Sequence, residues 1–96
     1  MGAIETMTFR LREHADEAAF LAVDKRLQTD FAYQQPGLVR RTTARGHDEW
    51  IVIDVWSSAE AADACAQRWN DDGLAQEFMS FVDRGSVDVR RYADLE

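Results

Sequence analysis

The sequence predicts one α+β domain of β-α-β-β-α-β order, a four-stranded antiparallel sheet carrying its helices on one face. Three observations lead there. Alternating apolar and polar residues mark strands at both ends of the chain, and helical-period stretches follow the first and third strand-like runs. The two central runs are separated only by Gly46-His47-Asp48-Glu49, short enough for a hairpin loop. With 96 residues there is room for a single core, so residues 1–96 are read as one domain.

Residues 4–11 alternate, with Met7, Phe9 and Leu11 on one side and Thr6, Thr8 and Arg10 on the other. Asp16 and Glu17 open the first helix, their charge suiting its N-terminus. Phe20, Val23, Leu27 and Phe31 form its apolar stripe, and Asp24, Lys25, Gln28 and Asp30 fall outside it. Gln35-Pro36-Gly37 turns the chain into strands at 38–45 and 50–56. Ser57 is the expected cap of the next helix, with Glu60 completing a capping box. Asn70-Asp71-Asp72-Gly73 interrupts that helix, and Leu74, Phe78, Phe81 and Val82 define a second helical piece. Asp83-Arg84-Gly85-Ser86 then breaks the chain before a final strand at 87–92.

The formal net charge of −7 opposes non-specific attraction to nucleic acid or an anionic membrane, so neither is expected as a partner. No apolar run has the length of a membrane span, and no signal peptide is read before the first strand. The single cysteine, Cys65, has no internal partner and reads as a small core residue in a reducing compartment, which gives a cytoplasmic expectation. Ten Arg against one Lys, with abundant Ala, suggest a GC-rich bacterial genome.

In strand 50–56 the uniformly aliphatic Ile51, Ile53 and Val55 are assigned to the helix side, with Met7, Phe9, Leu11, Val87 and Val89. The opposite face then collects Ile4, Thr6, Thr8, Arg10, Trp50, Val52, Asp54, Trp56, Arg90 and Tyr92. Trp50, Val52, Asp54, Trp56 and Tyr92 are accordingly the expected interface of a homodimer, because a large apolar patch on a sheet marks an interaction surface. Asp54 is expected to pair there with Arg10 or Arg90.

Gln35-Pro36-Gly37-Leu38-Val39-Arg40-Arg41, then Ile51-Val52-Ile53-Asp54-Val55-Trp56-Ser57-Ser58 and an Ala-rich helix, resemble the antibiotic biosynthesis monooxygenase superfamily. The similarity runs from Ile4 to Tyr92. It implies a dimeric α+β barrel with a ligand cavity between helices and sheet in each subunit. Activity is less closely tied to this fold. Some members are cofactor-independent monooxygenases of aromatic phenols or quinols, and others degrade haem. The residues that haem-degrading members use fall on or near Phe9, Trp69 and Phe78, and a ligating His is missing, so the expectation is no cofactor.

The implied pocket is expected to involve Trp69, Phe78, Phe81, Phe9 and Tyr33, although core packing explains Trp69, Phe78 and Phe81 equally well. Asp54 and His14 are the candidate catalytic residues. A carboxylate in an apolar strand must be paired or hold its proton more tightly, and His14 stands where a loop enters a helix. His14 and His47 lack ligands at metal-binding spacing, so no metal site is expected. Two functional readings follow: a cofactor-independent monooxygenase or related enzyme for an aromatic, enolisable small molecule, and a non-catalytic dimer that binds such a molecule or serves a structural role.

Overall fold

The structure, a computed structural model, describes residues 1–95. Four strands, β1 (Ala3–Leu11), β2 (Leu38–Arg45), β3 (Trp50–Trp56) and β4 (Val82–Ala93), form one antiparallel sheet in the order β2-β3-β1-β4. Helix α1 (Glu17–Asp30) links β1 to β2, followed by a short 3-10 turn (Ala32–Gln34). Helices α2 (Ala59–Trp69) and α3 (Gly73–Ser80) link β3 to β4. The expected four-stranded α+β fold is present, with the second helical region divided at Asn70-Asp71-Asp72 as the sequence indicates.

Each helix begins on a side chain that satisfies an otherwise orphaned backbone N–H. Asp16 accepts from Ala19, Ser58 from Ala61 and Asp72 from Ala75, at 3.1, 3.1 and 2.9 Å. The cap of α2 is therefore Ser58, not Ser57. Gly37 (φ +88°) supports the turn into β2, where its carbonyl accepts from Ser57 N at 2.8 Å. β4 begins at Val82, well before the expected residue 87. Its register against β1 shifts between Thr8 and Arg10, and the bulge absorbs the Gly85-Ser86 irregularity that had suggested a break.

The largest departure concerns β3. Its register pairs Trp50 with Phe9, Val52 with Met7, Asp54 with Glu5 and Trp56 with Ala3. Trp50, Val52 and Trp56 are all buried beneath the helices. Trp50 meets Phe20 of α1 edge-on at 5.1 Å, and Trp56 packs with Ala3 and Ala62 of α2. Ile51, Ile53 and Val55 consequently lie on the open face with Ile4, Thr6, Thr8 and Tyr92. Trp50, Val52, Asp54 and Trp56 are thus not on the surface where an interface was expected; Tyr92 is, and it is 49% exposed. The aromatic rings suit the deeper space under the helices, where Phe9, Phe20 and Phe78 already form a cluster with ring separations of 5.1–5.9 Å.

Candidate functional site

The aromatic cluster fills the space between helices and sheet at one end only. Towards the Trp56 end the small residues Ala62, Cys65 and Ala66 of α2 stand off the sheet and leave a cavity of about 370 Å3. Its apolar wall includes Met7, Phe31, Val52, Trp69 and Phe78. Trp69 is held edge-on between Phe31 and Phe78, at 5.9 Å from each ring.

Polar groups enter this apolar space along a single line. Register places Arg41 of β2 beside Asp54 of β3, Asp54 beside Glu5 of β1, and Glu5 beside Arg91 of β4. Helices supply the ends of the row: Asp24 of α1 accepts from Arg41 at 2.8 Å, and Asp63 of α2 accepts from Arg91 at 2.7 Å. Six charges thus alternate imperfectly across the sheet, with two carboxyl groups adjacent in the middle.

The two central carboxyls are not equivalent. Glu5 accepts two hydrogen bonds from Arg91, at 3.0 and 3.2 Å. Asp54 Oδ1 is buried without a hydrogen-bond partner among the described residues, and Arg41 Nε lies 3.9 Å away. Burial pushes the Asp54 carboxyl up to about 6; the Arg41 guanidinium opposes this, while Glu5 and Asp24 reinforce it. Two residues along the same strand face, the Trp56 indole Nε1–H is likewise buried and unpartnered among the described residues. The cavity therefore offers a proton acceptor, a free N–H donor and a nearby fixed cation. Buried polar atoms seldom lack partners, and a ligand carrying an acidic proton and an oxygen acceptor would satisfy both. Cys65, also on the wall, has its thiol pushed up to about 11 by burial and by the Asp54 and Glu5 charges. It is a neutral thiol near pH 7.

Of the residues read as pocket-forming, Trp69 and Phe78 line the cavity. Phe9 is in the closed core and Phe81 packs against Phe20, both off the cavity wall. Tyr33 does not reach it either: its hydroxyl accepts from Arg41 N at 2.9 Å and donates to Arg41 O at 3.4 Å, fixing the strand that carries the cation. His14 sits in a solvent-exposed loop with φ +65°, on a shallow groove with His47 and Arg45 that is separate from the cavity. Asp54 lines the cavity, with Arg41 rather than Arg10 or Arg90 beside it. Sequence reasoning missed Arg41 and Glu5 and put Trp56 on the opposite face of the sheet. Once Trp56 is turned inward, period-two counting brings Asp54 with it. Among the described residues there is no group of three or more His, Cys, Asp or Glu placed to hold a metal ion, and no helix is long and apolar enough to cross a membrane.

No protein-family model matches the chain. No curated protein matches it. Solved structures do share its fold. One is SnoaB, a cofactor-independent oxygenase from Streptomyces nogalater, with TM-score 0.80 and 20% identity over 99% of this chain and 94% of that one. A Chloroflexus aurantiacus protein, provisionally assigned as an antibiotic biosynthesis monooxygenase, gives TM-score 0.71 and 12% identity over 100% and 95%. Rv0793 from Mycobacterium tuberculosis gives TM-score 0.71 and 16% identity over 100% and 97%. The chain has the fold of these proteins over essentially its whole length.

Proposed function

We propose that the chain is a small oxygenase that uses Asp54 as a general base on an aromatic, enolisable substrate and draws on the substrate's own electrons to reduce oxygen. The observation that carries this reading is Asp54 Oδ1, unpartnered inside an apolar cavity and half-protonated near pH 6. A base with proton affinity near the working pH is well matched to removing a weakly acidic proton. The shared fold with a cofactor-independent oxygenase agrees with the same chemistry.

In the proposed reaction the acidic proton of a substrate CH2 group beside a carbonyl, or the O–H proton of its enol tautomer, moves to Asp54 Oδ1. Trp56 Nε1–H donates to the substrate oxygen on which negative charge accumulates, and the nearby Arg41 favours that charge electrostatically. The delocalised anion passes one electron to O2, and the two radicals combine and take up a proton to give a hydroperoxide. Loss of water converts the original CH2 carbon to a carbonyl. One oxygen atom remains in the product and the other leaves with the two hydrogens as water, so no external reductant is consumed.

Oxygen uptake with anthrone and quinol probes tests this. The wild-type chain should consume oxygen, and Asp54→Asn should lose about 100- to 10,000-fold in turnover while still binding the probe. Wild-type binding without uptake would instead support the binding-module reading, and neither binding nor uptake would overturn both.

We further propose that two copies pair through the open sheet face. Ile4, Ile51, Ile53 and Val55 give it an aliphatic centre flanked by Thr6, Thr8 and Tyr92, the kind of surface a small domain covers by self-association.

A further inference from the structure

Arg41 is the nearest cation to Asp54, and its position is set from the far side. Its guanidinium donates to Asp24 at 2.8 Å, to Gln28 Oε1 at 3.2 Å and to Thr43 Oγ1 at 3.3 Å, while Thr43 Oγ1 donates to Asp24 Oδ1 at 3.2 Å. Asp24 and Arg41 are both buried, 8% and 6% exposed, so this anchorage is shielded from water. Only the Nε edge turns towards Asp54, and at 3.9 Å it makes no hydrogen bond.

We infer that Asp24 is a positioning residue for the proposed chemistry: by claiming the guanidinium of Arg41 it prevents Asp54 from forming a closed ion pair and so leaves that carboxylate able to take a proton from a ligand. This rests on the reading of Asp54 as the base. An acid fully paired with arginine binds protons weakly and is a poor base, whereas a buried acid with no cation nearby holds its proton more tightly. A cation held at intermediate distance by a second carboxylate gives a state between these. The other charged group facing Asp54 is Glu5 of β1, answered by Arg91 of β4, which also donates to Asp63 of α2; the neutral thiol of Cys65 on α2 adds no charge.

The test follows the Asp54 side-chain carboxyl carbon by NMR through the acid and neutral range, with no ligand present. Its outcome is therefore independent of whether any probe is oxidised. In Asp24→Asn, Arg41 loses its charged anchor and turns towards Asp54, and the Asp54 midpoint should fall by about 1 pH unit or more, whereas in an Arg41→Gln background the same substitution should move it far less; an equal fall in both backgrounds overturns the inference. Asp24→Glu should restore the wild-type midpoint. Gln28→Glu, which adds a second carboxylate on the anchoring side, should move the midpoint upward. A folded Asp24→Asn protein whose Asp54 midpoint is unchanged or raised overturns the inference, as does a wild-type midpoint in the ordinary carboxylate range. Should Asp24→Asn fail to fold, Gln28→Glu decides: an upward shift that is lost in the Arg41→Gln background supports the role of the anchor, and an unmoved midpoint or an equal shift in both backgrounds overturns it.

Discussion

Asp54 sets function against stability at a single atom. Its carboxyl binds protons more tightly in the folded chain, at about 6, than its ordinary value of 3.8. Between those two values the folded state holds more protons than the unfolded one, so this group's contribution to stability is complete below pH 3.8 and is lost as pH rises through 6. The loss is on the order of 2–3 kcal/mol above that window. Asn at this position carries no charge at any pH. Asp54→Asn should therefore melt at a higher temperature than wild type at pH 8, and the gap should close as pH is lowered below the window. Thermal unfolding of both proteins across that range checks it; a gap of the same size at every pH would contradict the burial of a carboxylate that lacks a hydrogen bond. A variant that gains stability while losing turnover is what a strained catalytic group predicts. The carboxylate was legible in the sequence as a problem to be solved, because an acid in an apolar strand needs some compensation. Its partner was not legible, since Arg41 lies thirteen residues earlier on a neighbouring strand and only register brings the two together.

At the level of elements, the alternation within β3 gave two faces and no means of choosing between them. Six of its seven residues are apolar, so either face satisfies a buried side. What chooses is depth: Phe20 and the small Ala62 leave room for Trp50 and Trp56 under the helices, while the branched Ile51, Ile53 and Val55 make a flatter outer surface. A second ambiguity lay in α1, where Asp24 falls on the edge of the apolar stripe and looks solvated until Arg41 reaches it. By contrast, the turn at Gln35-Pro36-Gly37 was readable because only one residue type tolerates its backbone. Gly37 has φ +88°, and a Cβ there would stand 2.5 Å from Ala61 Cβ on α2 and 2.8 Å from Ser57 Oγ. Gly37→Ala must shift α2 away from the β2–β3 end of the sheet, and α2 is the roof of the cavity. It should lower stability by more than about 1 kcal/mol and weaken probe binding in the same protein. Chemical denaturation together with a binding titration measures the two effects. Stability reduced with binding intact would separate the turn from the cavity.

For the whole molecule, the inward turn of β3 changes what a second copy would meet without removing the reason to expect one. The face expected to be aromatic is instead aliphatic, with Ile51, Ile53 and Val55 at its centre beside Ile4. Thr6, Thr8 and Thr42 beside them are short and uncharged, so the centres of two such surfaces can approach closely, with Arg40, Arg90 and Asp88 at the margin. The chain's net charge of −7 makes copies repel at long range, and the charged residues of this face, Arg10, Arg40, Arg90 and Asp88, are mostly positive, which offsets part of that repulsion. A domain of this size also has a modest core, and the cavity under α2 thins it further, so support from behind the sheet would hold Asp54 and Trp56 in place. Ile53 sits between Thr6 and Thr42 near the centre of that face. Ile53→Glu would bring two like charges together across a two-fold contact in which each copy meets the other's same surface. Light scattering at micromolar concentration should give wild type near twice the 11.0 kDa chain mass and Ile53→Glu near the single-chain mass. The variant should keep its fold by circular dichroism, because the altered side chain points away from the helices. Wild type running at the single-chain mass would leave the aliphatic face without its partner, and a dimeric Ile53→Glu would place the contact elsewhere on the molecule.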